Sequence, residues 1–202
     1  MTQLSDTKRD AILNAATRMF LAQGYSAVSM DAIAVAAPVS KPTLYNYFPG
    51  KPALLAAVVA NVCTRMTAAV DTALKDDGDL HSDLRIIARA YVDIVYSPEC
   101  LALYRVIIAE LKNFPALGQL AYDSGAIPII AGITRYLRGV EPSCGVHFPR
   151  AAQSTSMLLG MLTGDEYHRC LLGLSPTLAP PARTRLVTRM VDSFVRAHRD
   201  HN

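Results

Sequence analysis

The sequence has little of what marks several large classes of protein. Its cysteines are few and widely separated, and no two of them form a CxxC pair. The four are Cys63, Cys100, Cys144 and Cys170. This spacing favours reduced thiols in a cytosol over a disulfide scaffold or a zinc finger.

Signals for targeting, catalysis and cofactor binding are also missing. The N-terminus is polar with no apolar core after it, so we expect no signal peptide, and no apolar run nears the ~18 residues of a membrane span. There is no Ser/His/Asp grouping and no glycine-rich phosphate loop, and His147 and His168 lack the spacing of zinc ligands. We therefore predict a cytoplasmic protein that is not an enzyme, binds no metal or cofactor and does not associate with a membrane. An enzyme with scattered catalytic residues is the alternative, which turnover of a small molecule would support.

Strong charge is absent as well. The formal net charge is +3 over 202 residues, and residues 1–52 hold five Lys/Arg against three Asp/Glu. Charge alone does not indicate DNA, so any such interpretation depends on where individual residues lie. The 51% hydrophobic content, by contrast, is ample for a buried core.

A short helix is predicted to begin near Lys41. Ser40 is a good N-cap, and Pro42 falls in the first turn, where a missing N–H costs nothing. Val39 and Leu44 have the spacing of a hydrophobic staple across the helix start. Leu44 and Phe48, one turn apart, mark the inner face.

The outer face of this helix is small, polar and aromatic. Pro42, Thr43, Tyr45 and Asn46 point away from the inner face, and Tyr47 lies on the flank. Hydroxyls, an amide and a threonine methyl are groups that contact base edges, while Lys41 and Lys51 can pair with phosphates. This pattern is typical of a DNA recognition helix.

The preceding segment predicts a second short helix that crosses the first. Ser29 caps it, Asp31 complements the dipole in its first turn, and Met30, Ile33, Ala34 and Ala37 repeat at helical spacing. With a first helix at about residues 7–23, this predicts a three-helix unit.

The first quarter of the chain contains, in order, QGY, SM, IAxxA, VSKPTLYNYF and GK before an apolar helix. This segment resembles the N-terminal domain of the TetR family of one-component regulators. The resemblance implies that Lys41, Pro42, Thr43, Tyr45, Tyr47 and Lys51 lie at the DNA. To these we add Ser29, Ser40 and Asn46 as predicted DNA-site residues.

Two departures from the family pattern stand out. Pro38 occupies the place of a turn glycine, and its ring is expected to forbid the positive φ that glycine would supply. Gly50 and Pro52 replace a stronger N-cap and an acidic residue at the start of the next helix.

The remaining sequence predicts an all-α protein of about nine helices, because no strand pattern or internal repeat is present. We assign residues 1–52 to a helix-turn-helix DNA-binding domain and residues 53–202 to a helical effector-binding and dimerisation domain. Ser82 is expected to cap the fifth helix, and residues 139–149 are expected to form a long exposed loop. The piece LYRVIIAELKNFPALGQLAYDSG weakly resembles AefR-type C-terminal domains of the same family. In that apolar stretch Glu110 must pair, reach solvent or meet a ligand.

The last two predicted helices, at about residues 150–172 and 182–198, are the expected dimer interface. Gly160 and Gly164 allow close approach in a four-helix bundle across a two-fold axis. Packing of these helices on the chain's own core is the alternative.

The resemblance also implies a small-molecule pocket between the middle helices. Candidate lining residues supply aromatic and methionine walls with a few polar tips, and for each of them ordinary core packing is the alternative. They are Tyr91, Tyr104, Arg105, Ile108, Tyr122, Met157 and Met161.

These features predict a ligand-responsive, DNA-binding transcriptional regulator. As the resemblance implies, a dimer would repress from a palindromic operator and be released by an unknown small-molecule effector. The alternative is a dimeric helical ligand-binding or partner-binding module that has lost sequence-specific DNA binding.

Overall fold

The computed structural model describes residues 2–74 and 79–199, with side chains throughout except at 2–6 and 142–144. Within these residues it contains eleven α-helices, one π-helical turn and no strand. The helices are α1 Thr2–Gln23, α2 Met30–Ala36, α3 Lys41–Tyr47, α4 Lys51–Ala73, α5 Leu80–Val95, α6 Pro98–Glu110, α7 Ala116–Ala121, α8 Ile127–Cys144, α9 Ala151–Leu162, α10 Asp165–Leu171 and α11 Pro180–His198. The all-α prediction is confirmed.

The chain divides into two compact units. Unit 1 comprises the residues up to Cys63 together with Ala102–Ser124, and unit 2 comprises Thr64–Leu101 and the residues from Gly125 onward. This division follows packing alone, so the predicted functional boundary at residues 52 and 53 stays a prediction.

Unit 1 contains α1, α2, α3 and the first half of α4. Its apolar core is formed by residues that are at most 2% exposed and that recur at helical spacing, as the sequence predicts. They include Ile12, Phe20, Ile33, Leu44, Leu54, Leu55 and Val58. α1 packs on α2, and α2 packs on α3. This arrangement is the predicted three-helix unit.

Unit 2 is built around α5, α8, α9 and α11. α11 packs along α5 and α9, and α8 packs along α9. The stripe predicted for the last helix lies in this core, where Val187, Val191, Phe194 and Val195 are at most 4% exposed.

Several predicted boundaries were wrong. The helix expected over residues 150–172 is interrupted, because Thr163 and Gly164 leave the helical conformation between α9 and α10. Residues 139–149 do not form an exposed loop: α8 continues to Cys144, and Gly145 ends it at φ +64°. Phe148 then stacks on Phe194 with ring centroids 6.0 Å apart. The segment is therefore anchored by a buried aromatic ring, although its composition is typical of an exposed loop.

The fifth helix begins earlier than expected. Asp79, and not Ser82, is its N-cap, and the Asp79 carboxylate accepts a hydrogen bond from the Ser82 backbone N–H at 3.1 Å. An aspartate caps as well as a serine does, and here it lies one turn ahead.

The expectation that no apolar run approaches a membrane span was too strict. α4 is long and apolar enough to cross a membrane by length and composition, with a mean hydropathy of 1.7 in its most apolar window. Because 44% of that window is buried and core helices of globular proteins pass the same test, this is weak evidence for a membrane span.

Candidate nucleic-acid interface

The N-terminus of α3 has the predicted cap. The Ser40 side chain accepts a hydrogen bond from the Thr43 backbone N–H at 3.3 Å, and the Ser40 and Thr43 hydroxyls lie 2.7 Å apart. Pro42 is in the first turn, where no N–H is needed. At the other end the Phe48 N–H donates to the Leu44 carbonyl at 2.9 Å, so α3 is a complete two-turn helix.

The two faces of α3 differ as predicted. Leu44 is 0% exposed and Phe48 is 5% exposed, and both belong to the core of unit 1. On the opposite face Pro42, Asn46 and Tyr45 are exposed, the last at 43%. Thr43 and Tyr47 lie at the margin and are partly exposed. The polar and aromatic side chains of α3 therefore face away from their own core.

α2 supports α3 from behind. Ser29 caps α2 by accepting from the Ala32 backbone N–H at 3.1 Å, and Met30, Ile33 and Ala34 are buried. The connection to α3 is tight, because the Ala37 N–H bonds the Ile33 carbonyl at 2.8 Å and the Val39 N–H bonds the Ala34 carbonyl at 3.0 Å. The two helices form a helix-turn-helix whose second helix presents its outer face.

Pro38 lies in this turn with a φ of +24°. The expectation that the ring forbids positive φ here was wrong. The turn therefore keeps the positive φ that a glycine would give. Because a proline ring favours φ near −65°, this conformation places strain on the proline. The two turn hydrogen bonds, the buried Ala37 and the half-buried Val39 hold this conformation.

The two predicted phosphate-binding lysines are in different surroundings. Lys41 is exposed and its ammonium lies 2.8 Å from the Asp31 carboxylate, which raises the pKa of Lys41 through the hydrogen bond and the opposite charge. Lys51 is turned toward the protein. Its ammonium lies 4.3 Å from the Tyr25 ring centroid and donates to the Ser26 carbonyl at 3.3 Å, and desolvation lowers its pKa.

The sequence predicted only part of the cluster of polar side chains around Glu110. Glu110 is 6% exposed at the end of α6, and its carboxylate accepts from the Asn113 amide at 3.2 Å and from the Ser26 hydroxyl at 3.5 Å. The sequence marked Glu110 as a charge that needs a partner. It gave no signal that the partner is the loop before α2, since 84 residues separate Ser26 from Glu110.

The predicted pocket residues fall in both units. In unit 1, Ile108, Tyr122 and Tyr104 are 54%, 52% and 39% exposed, and Arg105 is exposed. In unit 2, Met157 is 41% exposed, whereas Tyr91 and Met161 pack against the unit 2 core. The last two fit the core-packing alternative, and the pocket itself stays a prediction.

Unit 2 also has open surface clefts. Three of them have volumes of about 580, 610 and 490 Å³, and none is lined by a predicted pocket residue. Within the part of the chain whose side chains are described, no group of three or more His, Cys, Asp or Glu could hold a metal ion.

Comparisons with known proteins agree with this geometry. A model described as bacterial regulatory proteins, tetR family, matches residues 12–58, and one described as AefR-like transcriptional repressor, C-terminal domain, matches residues 82–200. A TetR-family transcriptional regulator from Mesorhizobium loti MAFF303099 is 25% identical with a TM-score of 0.90, over 96% of this chain and 97% of that one.

Two named relatives add detail. The flavonoid-responsive regulator FrrA is 32% identical with a TM-score of 0.79, over 96% of this chain and 98% of that one. The HTH-type transcriptional activator FasR of Mycolicibacterium smegmatis is 37% identical over 90 residues, which is 45% of this chain and 41% of that protein. The chain therefore spans less than half the length of this curated relative.

Regulators of the TetR family bind DNA and act as dimers. With its helix-turn-helix domain and its AefR-like C-terminal domain, the chain belongs to the TetR family of bacterial transcriptional regulators.

Proposed function

We propose that this regulator binds a palindromic operator as a homodimer, with α3 of each protomer in the major groove. The observation that carries this proposal is the outward face of α3, where Thr43, Tyr45 and Asn46 lie opposite the buried Leu44. Hydroxyl and amide groups on such a face read base edges, and two copies about 34 Å apart match successive major grooves. The expected DNA-site residues remain those predicted from the sequence.

The homodimer is proposed to form through α9, α10 and α11, the helices predicted as the eighth and ninth. Large apolar side chains are exposed in this part of unit 2, since Leu172, Leu174 and Met157 are 74%, 66% and 41% exposed. Among the described residues, no atom beyond the local backbone and chain neighbours lies within 4 Å of where a Cβ would be on Gly160 or Gly164, so another helix can approach closely there. Burial of these apolar side chains between two protomers would stabilise the homodimer. We expect Leu172→Glu to shift the protein from dimer to monomer in light scattering, and an unchanged mass would place the interface elsewhere.

An effector is proposed to relieve DNA binding. In unit 1, α6 and the turn after α7 expose Tyr104, Ile108 and Tyr122, which is apolar and aromatic surface that a ligand would cover. FrrA is named flavonoid-responsive, so flavonoids are the first probes to test. A ligand that prefers the released state by about 100-fold changes the operator affinity by about 2.7 kcal/mol.

Repression is the proposed direction of control. The repressor-type C-terminal model covers residues 82–200, whereas the match to the activator FasR covers 41% of that protein. A promoter fused to a reporter gene tests the direction. Higher expression in the absence of the regulator supports repression, and lower expression supports activation.

A mobility-shift titration tests DNA binding directly. The full chain is titrated into a duplex from the DNA upstream of its own gene and into an unrelated duplex of equal length. We expect specific retention that falls steeply with salt, because Lys–phosphate contacts release counterions. Equal, sequence-blind retention of both duplexes would refute operator recognition.

The strained turn favours a second candidate function. With Pro38 in place of a glycine, the chain could be a dimeric helical module that binds a ligand or a partner and no longer reads sequence. The same titration separates the two, since the module would retain neither duplex selectively.

A further inference from the structure

The Asp31–Lys41 ion pair lies on the proposed DNA-binding surface. Asp31 is in the first turn of α2, and Lys41 is the first residue of α3. The Lys41 ammonium lies 2.8 Å from each carboxylate oxygen of Asp31, and the side chains of Lys41 and Asp31 are 58% and 63% exposed respectively. The pair therefore joins the N-terminal ends of the two helices at an exposed surface.

This ion pair contributes little to holding the helix-turn-helix together. An exposed ion pair stabilises a fold by about 0–1 kcal/mol. The buried Ile33, Leu44 and Phe48 already fix the two helices on each other. The main consequence of the pair is electrostatic. The Asp31 carboxylate neutralises the Lys41 ammonium, to which a DNA phosphate would otherwise bind.

Charge is scarce at this surface. Residues 29–51 contain only three charged side chains, Asp31, Lys41 and Lys51. Lys51 is directed at the Tyr25 ring and the Ser26 carbonyl. Asp31 thus engages one of only two lysines in the helix-turn-helix, and its own negative charge repels an approaching phosphate.

We propose that Asp31 is an internal competitor for operator phosphate, which holds Lys41 in the free protein and lowers the affinity for all DNA. A duplex must replace the carboxylate at Lys41 with its own phosphate, so only DNA that also makes the α3 contacts binds tightly. Asp31 would then lower the affinity for non-specific DNA. This inference rests on the proposed function of α3 as a DNA-reading helix.

The test compares four variants of the full chain by fluorescence anisotropy, using a duplex from the upstream DNA of its own gene and an unrelated duplex. The variants are Asp31→Asn, Lys41→Met, the double variant, and Asp10→Asn as a control. The control removes one exposed carboxylate of the same charge from α1. Thermal melts confirm that each variant is folded.

We expect Asp31→Asn to raise the affinity for both duplexes by up to about 5-fold, the range that exposed charge pairs support. The slope of log affinity against log salt should steepen by up to about 1, because one more unit of charge is available to release counterions. In the Lys41→Met background the same substitution should change affinity by less than 2-fold.

Other results would overturn the inference. Weaker operator binding by Asp31→Asn would mean that Asp31 positions Lys41 or contacts the DNA itself. An equal gain from Asp10→Asn, or an undiminished gain without the lysine, would mean that net charge alone is responsible. If the wild-type chain and every variant bound neither duplex, the proposed DNA-reading function would fail first, and this inference would fail with it.

Discussion

Leu44 and Thr43 are neighbours in α3 with opposite environments, so truncating each one tests the orientation of the helix. Leu44 is 0% exposed in the core of unit 1. Leu44→Ala removes buried methyl groups and leaves a cavity, which costs about 2–5 kcal/mol of unfolding free energy. For a chain of this size, each kcal/mol lowers the melting temperature by about 2–4 °C.

Thr43→Ala is the matched substitution on the outer side. The Thr43 hydroxyl lies 2.7 Å from the exposed Ser40 hydroxyl, and loss of such an exposed hydrogen bond should change the unfolding free energy by less than about 1 kcal/mol. Operator binding should weaken by about 1–3 kcal/mol, because a base or close phosphate contact is lost. Urea unfolding followed by circular dichroism measures the first quantity, and anisotropy titration measures the second.

The pair of results decides the orientation. We expect Leu44→Ala to be much less stable and Thr43→Ala to be stable but weak on DNA. A Thr43→Ala protein that loses several kcal/mol of stability, beside a Leu44→Ala protein that loses none, would show that the faces of α3 are assigned the wrong way round. The reasoning about the recognition surface would then be refuted.

Three further substitutions test other parts of the structure. Pro38→Gly should relieve about 1–3 kcal/mol of turn strain and lose about 0.4–1 kcal/mol through a freer unfolded chain, so urea unfolding should show equal or greater stability; a clear loss would contradict the strained turn. Burial raises the pKa of Tyr96 from 10.0 to about 12, so the folded state resists ionisation and stability present below pH 10 is lost between about pH 10 and 12. That loss is about 3 kcal/mol in the wild type, and Tyr96→Phe should abolish it; parallel pH profiles of unfolding free energy for the two proteins would refute the linkage. Asp93 accepts from Arg89 at 2.7 Å and from Arg183 at 3.0 Å, so Asp93→Asn should cost about 1–3 kcal/mol in thermal melts, and an unchanged melting temperature would show that neither bond matters.

The sequence predicted the local structure of the helix-turn-helix well, because the relevant signals lie within a few residues of each other. The caps at Ser29 and Ser40 and the inward Leu44 and Phe48 depend on spacings of three or four residues, and all appear in the structure. The turn at Pro38 was mispredicted because the prediction applied the intrinsic preference of proline alone. Contacts of the flanking residues override such a preference.

The later helices were harder to predict because their ends depend on distant packing. Residues 139–149 carry glycines and prolines, which indicate a loop, yet Val140 and Phe148 are buried and anchor the segment. Such burial is set by residues far along the chain, such as Phe194, and periodicity within one segment does not reveal it. The same holds for Glu110, whose need for a partner was visible and whose partner Ser26 was not.

The two lysines of the helix-turn-helix show why counting charge is a poor guide to DNA affinity. Lys41 and Lys51 carry the same formal charge and flank the same helix, and the sequence predicted a phosphate for each. The structure directs Lys51 onto an aromatic ring and a carbonyl, where desolvation lowers its pKa, and gives Lys41 a carboxylate partner. Both cations must therefore exchange a protein partner for a phosphate before they add to binding. Because that exchange consumes part of the electrostatic gain, discrimination between DNA sequences must come mainly from the uncharged side chains of α3.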